Sequence, residues 1–89
     1  MHFLDLLFPY VQRGACKSGW INANAAKTTM EDCGQHCYTK QAGYFAFCSG
    51  EHGTCPGSEY CACYSRAQKC GETTTYQTHL SYEIPLRSL

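Results

Sequence analysis

Residues 28–64, TTMEDCGQHCYTKQAGYFAFCSGEHGTCPGSEYCACY, decide how this chain folds. Thr28 with Glu31 three positions later reads as a capping box, and Glu31 and Asp32 fall in a first turn where the helix dipole favours anions. Met30, Cys33 and Cys37 then recur at i, i+3 and i+7, a single inward stripe on a helix running to Gln41. Gly43 is placed to end that helix in a left-handed conformation. Residues 44–48 (YFAFC) and 60–64 (YCACY) read as strands by aromatic content and alternation. Phe45 and Phe47 share one face of the first, opposite Tyr44, Ala46 and Cys48. Cys61 and Cys63 share one face of the second, opposite Tyr60, Ala62 and Tyr64.

Two cysteines a helical turn apart and two more at strand spacing each form a pair on one face. A helix lying across a sheet brings such pairs within the Cα separation of about 5.5–6 Å that a disulfide needs. Cys33 and Cys37 are therefore expected to bridge to Cys61 and Cys63. Spacing does not fix the direction; the expectation leans to Cys33 with Cys63 and Cys37 with Cys61. Cys48 and Cys55 flank a short loop and are placed to staple it, and Cys16 and Cys70 are left to tie the first strand to the end of the domain.

Working outward, 89 residues allow one small domain. Its core alone is expected to contribute only about 3–5 kcal/mol, so covalent support is needed. Eight cysteines answer that need and point to an oxidising location, secreted or at the cell surface. The formal net charge is zero and the seven Lys and Arg are scattered, which argues against nucleic acid as a partner. No apolar run approaches the length of a transmembrane helix, so no membrane insertion is expected. The chain divides into an apolar arm or edge strand at 1–13, a disulfide-stapled domain at 14–85 and a tail at 86–89.

The arm carries Phe3, Leu4, Leu6, Leu7 and Phe8, either as a strand closing the chain's own core or as a segment docking on a neighbouring subunit's sheet edge. Pro9 argues against a continuous central strand there. Residues 22–27 read as a loop of small residues. Residues 74–84 alternate, with Tyr76, Thr78, Leu80, Tyr82 and Ile84 facing in and Thr75, Gln77, His79, Ser81 and Glu83 on a wet outer face.

The capped helix with cysteines four apart (MEDCGQHC), the Gly-aromatic strand (GYFAFC) and the cysteine strand (CACY) together resemble the PAN/apple domain superfamily. The Cys-x-Cys pair at 61 and 63 is closer to WSC-type modules. The chain departs from the apple pattern in lacking a cysteine near Gly43, and Cys48 with Cys55 looks like an insertion. The resemblance implies a small disulfide-rich α+β fold, one helix packed on a curved antiparallel sheet of about five strands. It also implies binding to extracellular protein or carbohydrate, without catalysis or cofactor.

The residues themselves lead the same way. Zinc ligation by Cys33, His36, Cys37, Cys61 and Cys63 fits the ligand chemistry, but the spacings are not those of zinc knuckles and four cysteines would be unexplained. His36 and Cys37 are helix neighbours pointing in different directions, which gives no nucleophile–base pair. His2, His36, His52 and His79 read as solvent-exposed, and no catalytic triad or phosphate-cradling loop is present. Seven tyrosines suit sugar stacking and protein interfaces alike, with Tyr38, Tyr44, Tyr60 and Tyr64 clustered about the helix and central strands. Trp20 reads first as core or rim packing. A ligand surface is expected at the 49–59 loop, with Glu51 and His52, and at Tyr60, Tyr64 and Trp20. The expected role is an adhesion or recognition module for extracellular protein or glycan. The alternatives are a homo-oligomeric filament subunit assembled through the arm and a small secreted effector.

Overall fold

The computed structural model describes residues 8–27, 29–55, 60–72 and 76–86. The elements run β1 (Tyr10–Arg13), β2 (Trp20–Ala26), α1 (Met30–Thr39), β3 (Tyr44–Phe47), β4 (Tyr60–Tyr64) and β5 (Leu80–Glu83). The strands form one sheet in the order β1-β5-β3-β4-β2, antiparallel at every pairing. The helix packs on one face, against β2, β3 and β4. The fold is thus a small disulfide-rich α+β fold, one helix on a five-stranded antiparallel sheet.

The helix ends differ in detail from expectation. Its N-cap is Thr29, whose Oγ1 accepts from Asp32 N at 3.0 Å, one residue later than the expected cap. Thr28 lies outside the described residues. At the other end the left-handed residue is Gln41 (φ 61°), not Gly43. Gln41 N donates to Tyr38 O and Ala42 N to Cys37 O, both at 3.0 Å, the paired bonds of a Schellman ending. Gly43 serves closeness instead: a Cβ there would stand 2.4 Å from Arg66 Cα.

Residues 22–27, expected as a loop, belong largely to β2. Alanine and asparagine are poor strand formers, but pairing with β4 overrides that preference. The ladder runs Trp20↔Tyr64, Ile21↔Cys63, then Ala25↔Cys61, with a bulge between. The bulge turns the Ala23 carbonyl to His36 Nε2, which donates to it at 2.6 Å.

The disulfides are Cys33–Cys61, Cys37–Cys63, Cys16–Cys70 and Cys48–Cys55. The helix does bridge to β4 at two points, but in the opposite direction to the one favoured above. The reason is topological. Short reversals connect β2 to α1 and α1 to β3, so the helix runs antiparallel to both strands. β4 lies between those strands and is antiparallel to each. The helix is therefore parallel to β4, which places Cys33 over Cys61 and Cys37 over Cys63.

The helix-side core consists of Cys33, Cys37, Ala42, Phe45, Phe47, Cys61, Cys63 and Ile84. Of the arm residues, Phe8 packs here, edge-on to Phe45 at 5.2 Å, and Phe45 in turn stacks on Tyr82 at 5.2 Å. Tyr10–Arg13 pairs with β5 as an edge strand. Phe3, Leu4, Leu6 and Leu7 lie outside the described residues.

The opposite face is not wet, as the alternation of 74–84 suggested. Ala15, Cys16, Ala46, Ala62, Tyr64 and Cys70 form a second buried layer, with Tyr44 and Tyr60 against it. The chain leaving β1 folds over this face, held by Gly14 N to His79 O (2.7 Å), Ser81 Oγ to Gly14 O (2.5 Å) and Gln12 Nε2 to Gly71 O (2.9 Å). His79 and Ser81 are fully buried beneath it. The regular strand is also shorter than expected, because Tyr76 is left-handed (φ 54°) and accepts from His79 N in a turn before β5.

Candidate functional site

Period-2 alternation along β4 puts Tyr60 and Tyr64 on the face away from the helix. The pairing of Trp20 with Tyr64 carries the indole to the same end of the sheet. Gly19, with φ near +90°, turns the chain into β2, and Ser65 N fastens that turn through a 2.7 Å bond to Gly19 O. The Cys16–Cys70 bridge brings the segment after β1 alongside. These elements enclose a groove of about 350 Å³ lined by Trp20, Tyr60, Tyr64 and Tyr76, with Cys16, Lys17 and Ser18 completing it. That volume sits at the small end of ligand pockets, about 300–1,000 Å³.

The rings are held in place before any ligand arrives. Trp20 is 53% exposed, yet its Nε1 donates to Asn24 Oδ1 at 2.9 Å. Asn24 Nδ2 in turn donates to the Tyr60 hydroxyl. One asparagine therefore fixes an indole on the edge strand relative to a phenol on the neighbouring one. Below them the His79 ring sits edge-on to Tyr60 at 4.9 Å and to Tyr76 at 5.7 Å. Burial, with Tyr60 and Tyr76 adding to it, pushes the Tyr64 phenol up to about 12, so it remains a hydroxyl donor at neutral pH. Lys17 is the one charged side chain among the lining residues. The groove offers π-faces, hydroxyls and one cation.

Of the five residues expected to form a ligand surface, Trp20, Tyr60 and Tyr64 meet here. Glu51 and His52 do not line the groove. They are exposed on the loop closed by Cys48–Cys55, and 56–59 lie outside the described residues. Glu51 instead acts electrostatically on Tyr82, whose phenol is raised chiefly by burial and further by Tyr10, Glu51 and Glu31. The tyrosine cluster divides across the sheet, Tyr38 packing on the helix side and Tyr44 beside the second layer. Among the histidines expected in solvent, His52 is exposed and His36 half-buried, whereas His79 is wholly enclosed. His2 is outside the described residues.

Asn24, Lys17, Ser18, Tyr76 and His79 were not anticipated as parts of a site. Asn24 falls in a stretch that reads as a loop, and Tyr76 in one that reads as strand, its left-handed turn having no glycine to announce it. A second hollow, about 400 Å³, is bordered by Tyr38, Gln41, Arg66 and Leu86. Its guanidinium is engaged in the fold, donating to Ala42 O at 3.2 Å and Ile84 O at 2.8 Å. The sulfurs of Cys33, Cys37 and Cys61 lie within 4.8 Å of one another, but each is held in a disulfide and presents no thiolate to a metal. Among the described residues no helix is long and apolar enough to cross a membrane. No protein-family model, curated protein or solved structure matches the chain.

Proposed function

We propose that this chain is a non-catalytic recognition module of the PAN/apple type, secreted or displayed at the cell surface, which seats an extracellular glycan or protein side chain in the Trp20–Tyr60–Tyr64–Tyr76 groove. The observation that carries the reading is the Trp20–Asn24–Tyr60 relay. Large exposed aromatics are normally free to rotate, and fixing them beforehand lowers the ordering cost that binding would otherwise incur. Tyrosine and tryptophan suit such a surface because each combines an apolar face with a polar edge. The four disulfides support the extracellular placement. Phe8 packs within its own core and β1 joins its own sheet, so the described part of the arm is occupied inside the chain.

The test is to screen the oxidised protein on a glycan array and an extracellular-protein array beside the Tyr60→Ala and Asn24→Ala variants. Hits that disappear in both variants, with far-UV spectra and disulfides unchanged, support the reading. Hits that both variants retain would sink it.

A further inference from the structure

His79 is a buried ionisable group that recognition by the groove does not require. Its ring is wholly enclosed, Nδ1 lies 3.2 Å from Thr78 Oγ1, and Nε2 has no hydrogen-bond partner among the described residues. Its backbone is pinned at both ends, N to Tyr76 O at 3.0 Å and O from Gly14 N at 2.7 Å. Two of the four aromatic rings of the groove, Tyr60 and Tyr76, rest on it edge-on. We propose that the groove is gated by protonation of His79, formed near neutral pH and opened in mild acid by withdrawal of its Tyr60 and Tyr76 walls. The gate's consequence for a ligand rests on the recognition reading above; its mechanics do not.

Among the described residues, the titratable side chains whose rings pack on His79 are Tyr60 from β4 and Tyr76 from the turn before β5, both phenols. The segment after β1 holds the His79 carbonyl through Gly14 N, and the Ser81 hydroxyl of β5 is already donating to Gly14 O. Lys17, on the groove those rings enclose, adds charge of the same sign as an imidazolium. A second proton on the ring therefore creates a buried cation with an N–H that finds no acceptor among the described residues. Such a group is costly until water reaches it. The imidazole is fully enclosed with Tyr60 and Tyr76 resting on it, so these rings must move before water can reach it.

Burial depresses the affinity of His79 for a proton below the ordinary value of 6.5, and the Tyr76 carbonyl offsets this only in part. The closed state is thus favoured above that value, and its advantage is lost as pH falls. The open form takes the proton first, so the closed population drops by up to about tenfold per pH unit until His79 titrates in place.

The experiment follows His79, Tyr60 and Tyr76 ring signals by NMR in the oxidised wild-type chain from about pH 8 to about pH 4. The expected result is one reversible step, with a midpoint below 6.5, in which the two tyrosine rings move together with His79. His79→Phe should abolish the step and His52→Gln should leave it. Tyrosine signals that stay fixed while His79 titrates would overturn the gate. So would a His79 midpoint at its ordinary value. With the strongest array hit as probe, affinity should weaken by up to about tenfold per pH unit over the same range. A hit whose affinity is independent of pH overturns the gate and leaves recognition standing. A coupled step in a protein that binds nothing supports the gate and overturns recognition.

Discussion

Replacing Gly34 by alanine sets two effects of opposite sign against each other at one atom. In a helix interior the change favours folding by about 1 kcal/mol, because alanine has less backbone freedom to lose. Here the new Cβ would stand 2.5, 2.6 and 2.9 Å from three ring atoms of Phe8, well inside the carbon contact distance of about 3.5–4 Å. Relief requires Phe8 to leave its seat, and with it the edge contact to Phe45 at 5.2 Å. Phe8 is half-buried, so leaving forfeits about 1–2 kcal/mol of burial and at least about 0.5 kcal/mol of ring contact. Gly34→Ala should therefore destabilise the protein by about 0.5–1.5 kcal/mol. In a Phe8→Ala background the obstruction is gone, and the same substitution should stabilise by about 0.5–1 kcal/mol. Guanidinium unfolding of the four proteins under non-reducing conditions measures this cycle. Stabilisation of equal size in both backgrounds would show that Phe8 does not rest on the helix, and its seat in the chain's own core would have to be abandoned.

Three further outcomes are expected. Thr29→Ala should cost about 1 kcal/mol by removing the acceptor for Asp32 N, read as a lower denaturation midpoint with an unchanged m-value. Among the disulfides, loop closure predicts about 4 kcal/mol for Cys16–Cys70, which spans 54 residues, against about 2 kcal/mol for Cys48–Cys55, which spans 7. Paired Cys→Ala variants unfolded side by side test that order. In alkaline spectrophotometric titration one tyrosine should ionise late, near 12, and Tyr64→Phe should remove it. Because that phenol's affinity for its proton is raised by folding, its share of stability is intact below pH 10 and lost as pH rises from there toward 12.

The central unit was readable because local spacing and burial agree there. Cys33 and Cys37 on one helix face, and Cys61 and Cys63 on one strand face, leave few arrangements other than a helix lying on β4. The direction of the two bridges was not readable from those residues. It depends on β4 inserting between β2 and β3, a long-range fact about strand order that no cysteine spacing records. β2 was missed because WINANAA lacks the β-branched content of a strand and is held by its partner. His79 and Ser81 alternate as a solvent face should, but a loop from the far end of the chain covers them. Three groove residues, Trp20, Tyr60 and Tyr64, are nonetheless legible as candidates, since Tyr60 and Tyr64 share a face by simple alternation and tyrosine and tryptophan suit binding surfaces. What joins Trp20 to Tyr60 is Asn24, a small polar residue whose role appears only once β2 exists.

The claim that the aromatic groove is the binding surface is tested most directly by mapping contact on the intact, oxidised protein. Backbone and ring NMR shifts would be recorded while the strongest glycan or peptide probe from the arrays is titrated in. The account predicts perturbations centred on Trp20, Tyr60, Tyr64 and Tyr76, reaching Lys17 and the Asn24 side-chain amide. Perturbations confined to residues 49–55, or to the hollow beside Tyr38 and Arg66, would contradict it.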